Sequence, residues 1–147
     1  MISIQYTLEG QDVINRDLMN MATLLTDFTI PLTQSKNYLR RDINNAFETE
    51  GNNYDFGGWA KLSPNYAFWK SKRFSGGILE RSGKMRNSFY DVVTSTMAEI
   101  GNTTDYFKYH QSNQPRTKIP RRIMLYFNQE TRNEITKAFQ DYLKWTK

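Results

Sequence analysis

His110 is the only histidine in the chain and the first residue to weigh for chemistry. Proton transfer by an imidazole needs a nucleophile or carboxylate within hydrogen-bond reach, and Asp105 is the nearest acid in sequence. A metal site would have to be completed by carboxylates, because there is no cysteine and no second histidine. A histidine hydrogen-bonded into the adjoining loop makes fewer demands. Ser82-Gly83-Lys84 hints at phosphate binding, yet Gly76-Gly77 is not followed by the Gly-x-x-x-x-Gly-Lys-Ser/Thr spacing that such a loop requires. A Ser-Gly turn opening the next element accounts for it. These residues predict no catalytic centre, no metal and no cofactor.

Charge is the stronger signal. Lys70, Lys72, Arg73, Arg81, Lys84 and Arg86 form one basic group, and Arg116, Lys118, Arg121 and Arg122 a second. Interleaved with Phe74, Phe89 and Tyr109, they have the composition of a surface that holds a nucleic-acid backbone through phosphates. No reading helix, zinc finger or aromatic RNA-binding sheet motif accompanies them, so any DNA contact would be made by charge and not by sequence. Residues 1–60 carry four Lys/Arg against eight Asp/Glu, and residues 61–147 carry sixteen against seven. This asymmetry suits a partner of opposite sign, head-to-tail contact between copies, or ordinary solvation. A third cluster, Trp59 with Leu62, Tyr66 and Trp69, is the composition of a stacking platform, but aromatic rings beside glycines more often anchor a loop to a core.

The elements that position these residues follow from periodicity. Ile2, Ile4, Tyr6 and Leu8 alternate with polar residues, which predicts a strand over 2–8 closed by Gly10. Val13, Ile14, Leu18, Met21, Leu24, Leu25 and Phe28 then fall at helical spacing. Thr29-Ile30-Pro31 is a break and restart, since proline suits only the first turn of a helix. Leu32, Leu39, Ile43, Ala46 and Phe47 continue the stripe to Gly51, a natural stop. A loop carrying Tyr54, Phe56 and Trp59 follows, and Ser63-Pro64 opens another helix, with serine able to cap and proline at the first position. A short helix or turn is expected over 78–85, a hairpin of strands over 89–94 and 97–101, an exposed loop over 113–118 and a strand over 123–127. Asn128 caps a last helix whose stripe is Ile135, Ala138, Phe139, Tyr142 and Leu143.

The predicted fold class is α+β, a small, mainly antiparallel sheet packed with two N-terminal helices and a C-terminal helix. The 147 residues fit one domain, 1–147, with aromatic residues at 14% supplying large buried area. The absence of cysteine excludes a disulfide framework and a thiol nucleophile. No apolar run approaches the length that spans a bilayer, and no basic flank precedes an apolar run at Met1, so no membrane partner and no signal peptide are expected.

The fragments between 58 and 122 resemble the phage virion morphogenesis family, the tail-completion proteins that include the G protein of phage Mu. Gly57-Gly58-Trp59 is similar to the family's Gly-x-Trp loop, and Leu62-Ser63-Pro64-Asn65-Tyr66 to its Leu-Ser-Pro-x-Tyr helix start. Ile78-Leu79 with Ser82-Gly83-Lys84-Met85 resembles the next segment; Ile100-Gly101, then Tyr106 with His110-Gln111, then Ile119-Pro120-Arg121-Arg122 follow in family order. Phe107 stands where alanine is usual, and Ser112-Asn113 where a glycine follows His-Gln. The resemblance implies a non-enzymatic structural protein of a tailed bacteriophage, acting in tail completion or head–tail joining at the neck and assembled as a ring. Its partners would be further copies of itself, other neck, tail-terminator or tail-tube proteins, and DNA in passage; its location would be the virion, after assembly in the host cytoplasm. Trp59, Leu62, Ser63, Pro64, Leu79, Gly83, His110, Gln111 and Pro120 are then folding positions, and Lys84, Arg86, Arg116, Lys118, Arg121 and Arg122 candidate interface residues. The loops around Asn52 and Pro115 are candidate partner-binding segments, ordered on assembly.

Overall fold

The computed structural model describes residues 11–115 and 118–144. The strand predicted over 2–8 lies outside them. The elements in chain order are α1 (Gln11–Thr26), α2 (Thr29–Glu48), α3 (Pro64–Ser71), α4 (Lys84–Asn87), β1 (Phe89–Val93), β2 (Ala98–Asn102), α5 (Phe107–Gln111) and α6 (Gln129–Lys144). The architecture is a small α+β fold. β1 and β2 pair antiparallel, with Phe89 opposite Asn102 and Val93 opposite Ala98. The hairpin lacks an Asn-Gly turn and instead uses Thr94, whose hydroxyl accepts from Met97 N at 3.0 Å while its N–H donates to Met97 O at 2.8 Å.

α2 is the axis against which the sheet and α6 pack. The break before it is at Asp27–Phe28, where the Asp27 carboxylate accepts from the Thr29 N–H at 2.9 Å and Pro31 falls in the first turn. The far end closes as expected at Gly51, whose N–H returns to Ala46 O at 2.8 Å, with Glu50 and Gly51 both left-handed (φ 54° and 82°). A Cβ at position 51 would also meet Trp59 Cδ1 at 2.5 Å, so the stop and the docking of the indole both require glycine. Trp59 is 3% exposed and meets Phe47 edge-on at 5.5 Å. With Ile43, Ala46, Tyr54, Ile78, Met85, Phe89 and Met124 these rings form the core. The segment around Asn52 is anchored to the folded centre by Tyr54, which is buried, and by Asn53, whose Nδ2 donates to Asp42 O at 3.1 Å, while Asn52 itself is exposed.

α6 begins as the sequence predicts. Asn128 Oδ1 accepts the Thr131 N–H at 2.8 Å. The buried Thr131 hydroxyl donates to the buried Asp42 carboxylate of α2, and Arg41 reaches Glu134 at 2.6 Å alongside.

The strand predicted over 123–127 is not a strand. Met124 is fully buried and its neighbours are paired to side chains in place of a ladder. Trp59 Nε1 donates to Ile123 O at 2.7 Å and the Tyr54 hydroxyl to Met124 O at 2.6 Å. Gln111 Nε2 donates to Leu125 O at 2.6 Å, while Gln111 Oε1 accepts from Met124 N at 3.1 Å and Leu125 N at 3.2 Å. One amide side chain thus presents the donor and acceptor that a strand neighbour would present. Burial drives the Tyr54 phenol well above its ordinary pKa, which keeps it a donor.

Gln111→Ala leaves buried peptide groups of Met124 and Leu125 without partners and is expected to lower the unfolding free energy by about 3 kcal/mol. Arg121→Ala, at an exposed neighbour, should change it by less than about 0.5 kcal/mol. Urea titration of both variants measures the difference; a cost below about 1 kcal/mol for Gln111→Ala contradicts this account.

Candidate assembly surface

Ser63 occupies the N-cap position of α3 and Pro64 the first turn, but the Ser63 side chain makes no capping hydrogen bond; its backbone carbonyl accepts from Ala67 N at 2.8 Å. Lys70 is the residue that faces inward. It is 5% exposed and its ammonium caps the carbonyls of Gly76 and Gly77, at 2.9 Å for Gly76. Burial lowers its pKa, and Glu80 and Glu50 oppose that shift. Lys70 is therefore a folding residue and leaves the basic set.

With Lys70 inward, the rest of α3 turns outward. Phe68 is 64% exposed, and Tyr66 and Trp69 are exposed beside it. This separates the aromatic cluster expected from sequence: Trp59 and Leu62 go to the core, and Tyr66 and Trp69 to a surface ledge. Tyr66 and Trp69 stack at 5.6 Å, and Trp69 meets Phe74 at 5.7 Å. Cations cover the rings, Lys72 over Phe68 at 4.1 Å, Arg73 over Trp69 at 5.0 Å and Arg81 over Phe74 at 5.8 Å. Phe68 carried no separate signal in the sequence, because the outer and inner faces of an eight-residue helix are too short to show a period.

The candidate interface residues divide. Lys84 is exposed on α4, whereas Arg86 on the same turn pairs with Glu80 at 2.8 Å and Glu48 at 3.2 Å, and these hydrogen bonds raise its pKa. Lys118 lines a shallow depression of about 580 Å³ with Lys108, Tyr109 and Pro115. Arg121 is exposed and its Nε donates to Gln111 O at 3.2 Å. Arg116 lies outside the described residues. Arg122 is a correction: it is 6% exposed, and its guanidinium donates to Ala60 O at 2.8 Å and Lys61 O at 3.3 Å. Burial lowers its pKa, with Glu50 opposing. A long side chain whose head satisfies buried carbonyls is indistinguishable in sequence from one in solvent.

His110 lies on α5, where its carbonyl accepts the Arg122 N–H at 3.2 Å. No hydrogen bond joins it to Asp105 among the described residues. Gly83 is left-handed (φ 70°) at the N-cap of α4, which makes Ser82-Gly83 the turn expected. Leu79 is half-buried against the core and also left-handed (φ 66°), a conformation that costs a leucine about 1 kcal/mol or more. Pro120 is exposed. No group of three or more His, Asp or Glu with metal-ligand geometry occurs among the described residues, nor does a helix long and apolar enough to cross a membrane.

α1 is the second uncovered surface. Its stripe reads as one face of a helix, yet none of its residues is buried. Ile14, Leu18, Met21 and Leu25 are between 50% and 63% exposed. Between α1, α2 and α6 runs a groove of about 1150 Å³, lined by Leu24, Ile30, Tyr38, Ala138 and Tyr142 among others. Phe28 anchors the joint: its N–H donates to Ser95 O at 2.7 Å, and its ring lies against Phe139 and Tyr142.

Glu50 joins the ledge to α2. Its carboxylate accepts the Ile78 N–H at 3.0 Å and pairs with Lys61 at 3.1 Å, and the Ile78 hydrogen bond holds its pKa below the ordinary 4.5. A depressed folded-state pKa contributes stability above the unfolded value, and that contribution is lost as pH falls through the folded value. Glu50→Gln should therefore flatten the acid side of the stability profile below about pH 4.5. Urea midpoints from pH 7 to pH 3 test this; parallel profiles for the two proteins refute it.

Comparison with curated proteins and with solved structures finds no match. The model of the phage virion morphogenesis family matches residues 10–144, nearly the whole chain, and so covers both uncovered surfaces as well as the side-chain-supported core. The chain belongs to the phage virion morphogenesis family.

Proposed function

We propose that this protein completes the tail or joins head to tail at the neck of a tailed bacteriophage, assembling as a ring of identical copies. The observation that carries the reading is the pair of solvent-facing apolar surfaces, the Ile14, Leu18, Met21 and Leu25 line of α1 and the Phe68–Trp69 ledge of α3. Soluble proteins that act alone rarely leave such areas open, and rims of charge around them mark sites of protein association. Membership of a virion assembly family gives these surfaces a setting. The chemistry required is burial and charge complementarity, with no bond made or broken. A ring needs one face of each copy to meet a different face of the next, and two unlike faces on one chain suit that geometry.

A second reading rests on the cations. Lys72, Arg73, Arg81, Lys84, Lys118 and Arg121 make no ion pair among the described residues. They are available to phosphates, so the same protein would touch DNA without sequence preference.

The tests are separate. Phage carrying a nonsense mutation in this gene should accumulate filled heads and unjoined tails, and the purified protein should sediment as an oligomer alone or on tails. Normal joined particles without the protein overturn the assembly role. For DNA, Arg73→Ala with Arg81→Ala should weaken binding and lessen its salt dependence; binding that is absent or indifferent to salt removes that reading.

A further inference from the structure

The two-stranded sheet has one edge occupied and one open. Thr94 N donates to Met97 O at 2.8 Å and Thr103 N to Ser88 O at 3.1 Å, which fixes the phase of the antiparallel ladder. The peptide groups of Phe89, Asp91 and Val93, and of Ala98, Ile100 and Asn102, therefore point out of the two edges. Groups from α2 and the joint before it take up the β1 edge. Arg40 donates to Phe89 O at 3.1 Å, Lys36 and Arg40 hold the Asp91 carboxylate, and the Phe28 N–H reaches Ser95 O. At the β2 edge, no backbone hydrogen bond among the described residues serves Ala98, Ile100 or Asn102. Nor does a proline or lysine guard it, since the sequence of β2 is Ala-Glu-Ile-Gly-Asn.

Residues 2–8 have the pattern that such an edge accepts. Ile2, Ile4, Tyr6 and Leu8 alternate with Ser3, Gln5 and Thr7, giving one apolar and one polar face. β2 offers the matching pair. Ile100 packs against the core on the inner side, whereas Glu99 lies on the outer side and accepts from the Tyr90 hydroxyl at 2.7 Å. An added strand in this phase continues the core past Ile100 and sets polar side chains beside Glu99. The reach is sufficient. α1 from Arg16 to Leu24 and α2 from Ile30 to Tyr38 wall the same groove, so α1 folds back along α2. That brings Gln11 toward the end of the hairpin where Arg40 meets Phe89, the Asn102 end of β2. The ten residues before α1 extend to about 33 Å, and the five of β2 to about 17 Å.

We propose that residues 2–8 add to the open edge of β2 in their own chain as a third strand, parallel to β2, with Ile4 and Tyr6 on the core side. A strand laid on the face of α1 would bury its apolar side chains but leave its peptide groups unmet. The edge of β2 satisfies both. The sheet is then sealed by its own chain, so contacts between copies fall to the helices and not to pairing of sheet edges.

Residue-resolved hydrogen exchange on the full chain reads this edge directly. The amides of Ala98, Ile100 and Asn102 should exchange at least about tenfold more slowly than free peptide groups, at a rate independent of protein concentration. Ile4→Pro removes a donor in the middle of the segment and should release those three amides, while Ile43 and Ala46 in α2 stay protected. A label gives the same answer without a proline. The chain has no cysteine, so Ser3→Cys carries a single nitroxide, which should broaden Ala98 and Glu99 more than Asn102. Fast exchange of the three amides in the wild-type chain overturns the proposal. Broadening confined to Ile14, Leu18, Met21 and Leu25 places the segment on α1 and overturns it as well. Stronger broadening of Asn102 than of Ala98 refutes the parallel direction. Protection that grows with protein concentration means that the strand comes from another copy, which overturns pairing within the chain.

Discussion

A buried peptide group has to find a partner, and the stretch from 122 to 125 crosses the middle of this protein with no strand beside it. Three side chains from two places in the chain meet that need. Gln111 comes from α5, and Trp59 and Tyr54 from the turns after α2, while the Arg122 guanidinium ties the stretch back to the carbonyls of Ala60 and Lys61. The consequence is that α5, the aromatic turns and the approach to α6 are locked together by polar contacts inside an apolar cluster. Each of these bonds is stronger for being dry, and each would be costly to leave half-made. Trp59, Tyr54 and Gln111 thereby act as folding positions in this arrangement.

The regular parts of the fold were legible because they are local. The proline in the first turn of α2, the glycine at its end, the asparagine before α6 and the periods of the three long helices are decisions made within four or five residues. The errors fall where the deciding partner is distant in sequence. A run such as Ile123-Met124-Leu125-Tyr126-Phe127 has strand composition, and nothing in it says that a glutamine on another element will stand in for a neighbour. Arg122 and Lys70 read as solvent-facing charges, but their heads go to carbonyls 62 and 6 residues away. The apolar stripe of α1 was correct as a period and silent about what covers it, since periodicity reports a face and not a neighbour.

The same distinction applies to charge. The acidic first part and basic second part suggest two poles, but much of the difference is used inside the molecule. Glu50 holds Lys61, Glu48 holds Arg86 and Glu134 holds Arg41. Asp91 runs against the trend, held by Lys36 and Arg40 of α2 at 3.2 Å and 3.0 Å. These partly exposed pairs add little stability singly, but they consume the acids near the sheet and the end of α2. Three cations without an ion pair among the described residues, Lys72, Arg73 and Arg81, lie on and after α3 over the rings of Phe68, Trp69 and Phe74. Charge and apolar area thus coincide at the ledge, which sets it apart from a merely solvated basic surface.

A chain that presents unlike faces at two places can close into a ring or run on as a filament, and the angle between the faces decides which. In this protein the directions of the two exposed faces are set by two joints. At one, Glu50 fixes the ledge to α2 by a carboxylate that caps the Ile78 N–H. At the other, Phe28 is held between Phe139 and Tyr142, its N–H donates to Ser95 O, and the Tyr142 hydroxyl donates to Asp27 O. The second joint ties the direction of α1 to the hairpin turn and to α6 at once, although no residue of α1 is fully buried. A helix that wandered freely would pay ordering entropy on any contact it made, whereas one exposed along most of its length but clamped at its root keeps a fixed direction relative to the hairpin and α6.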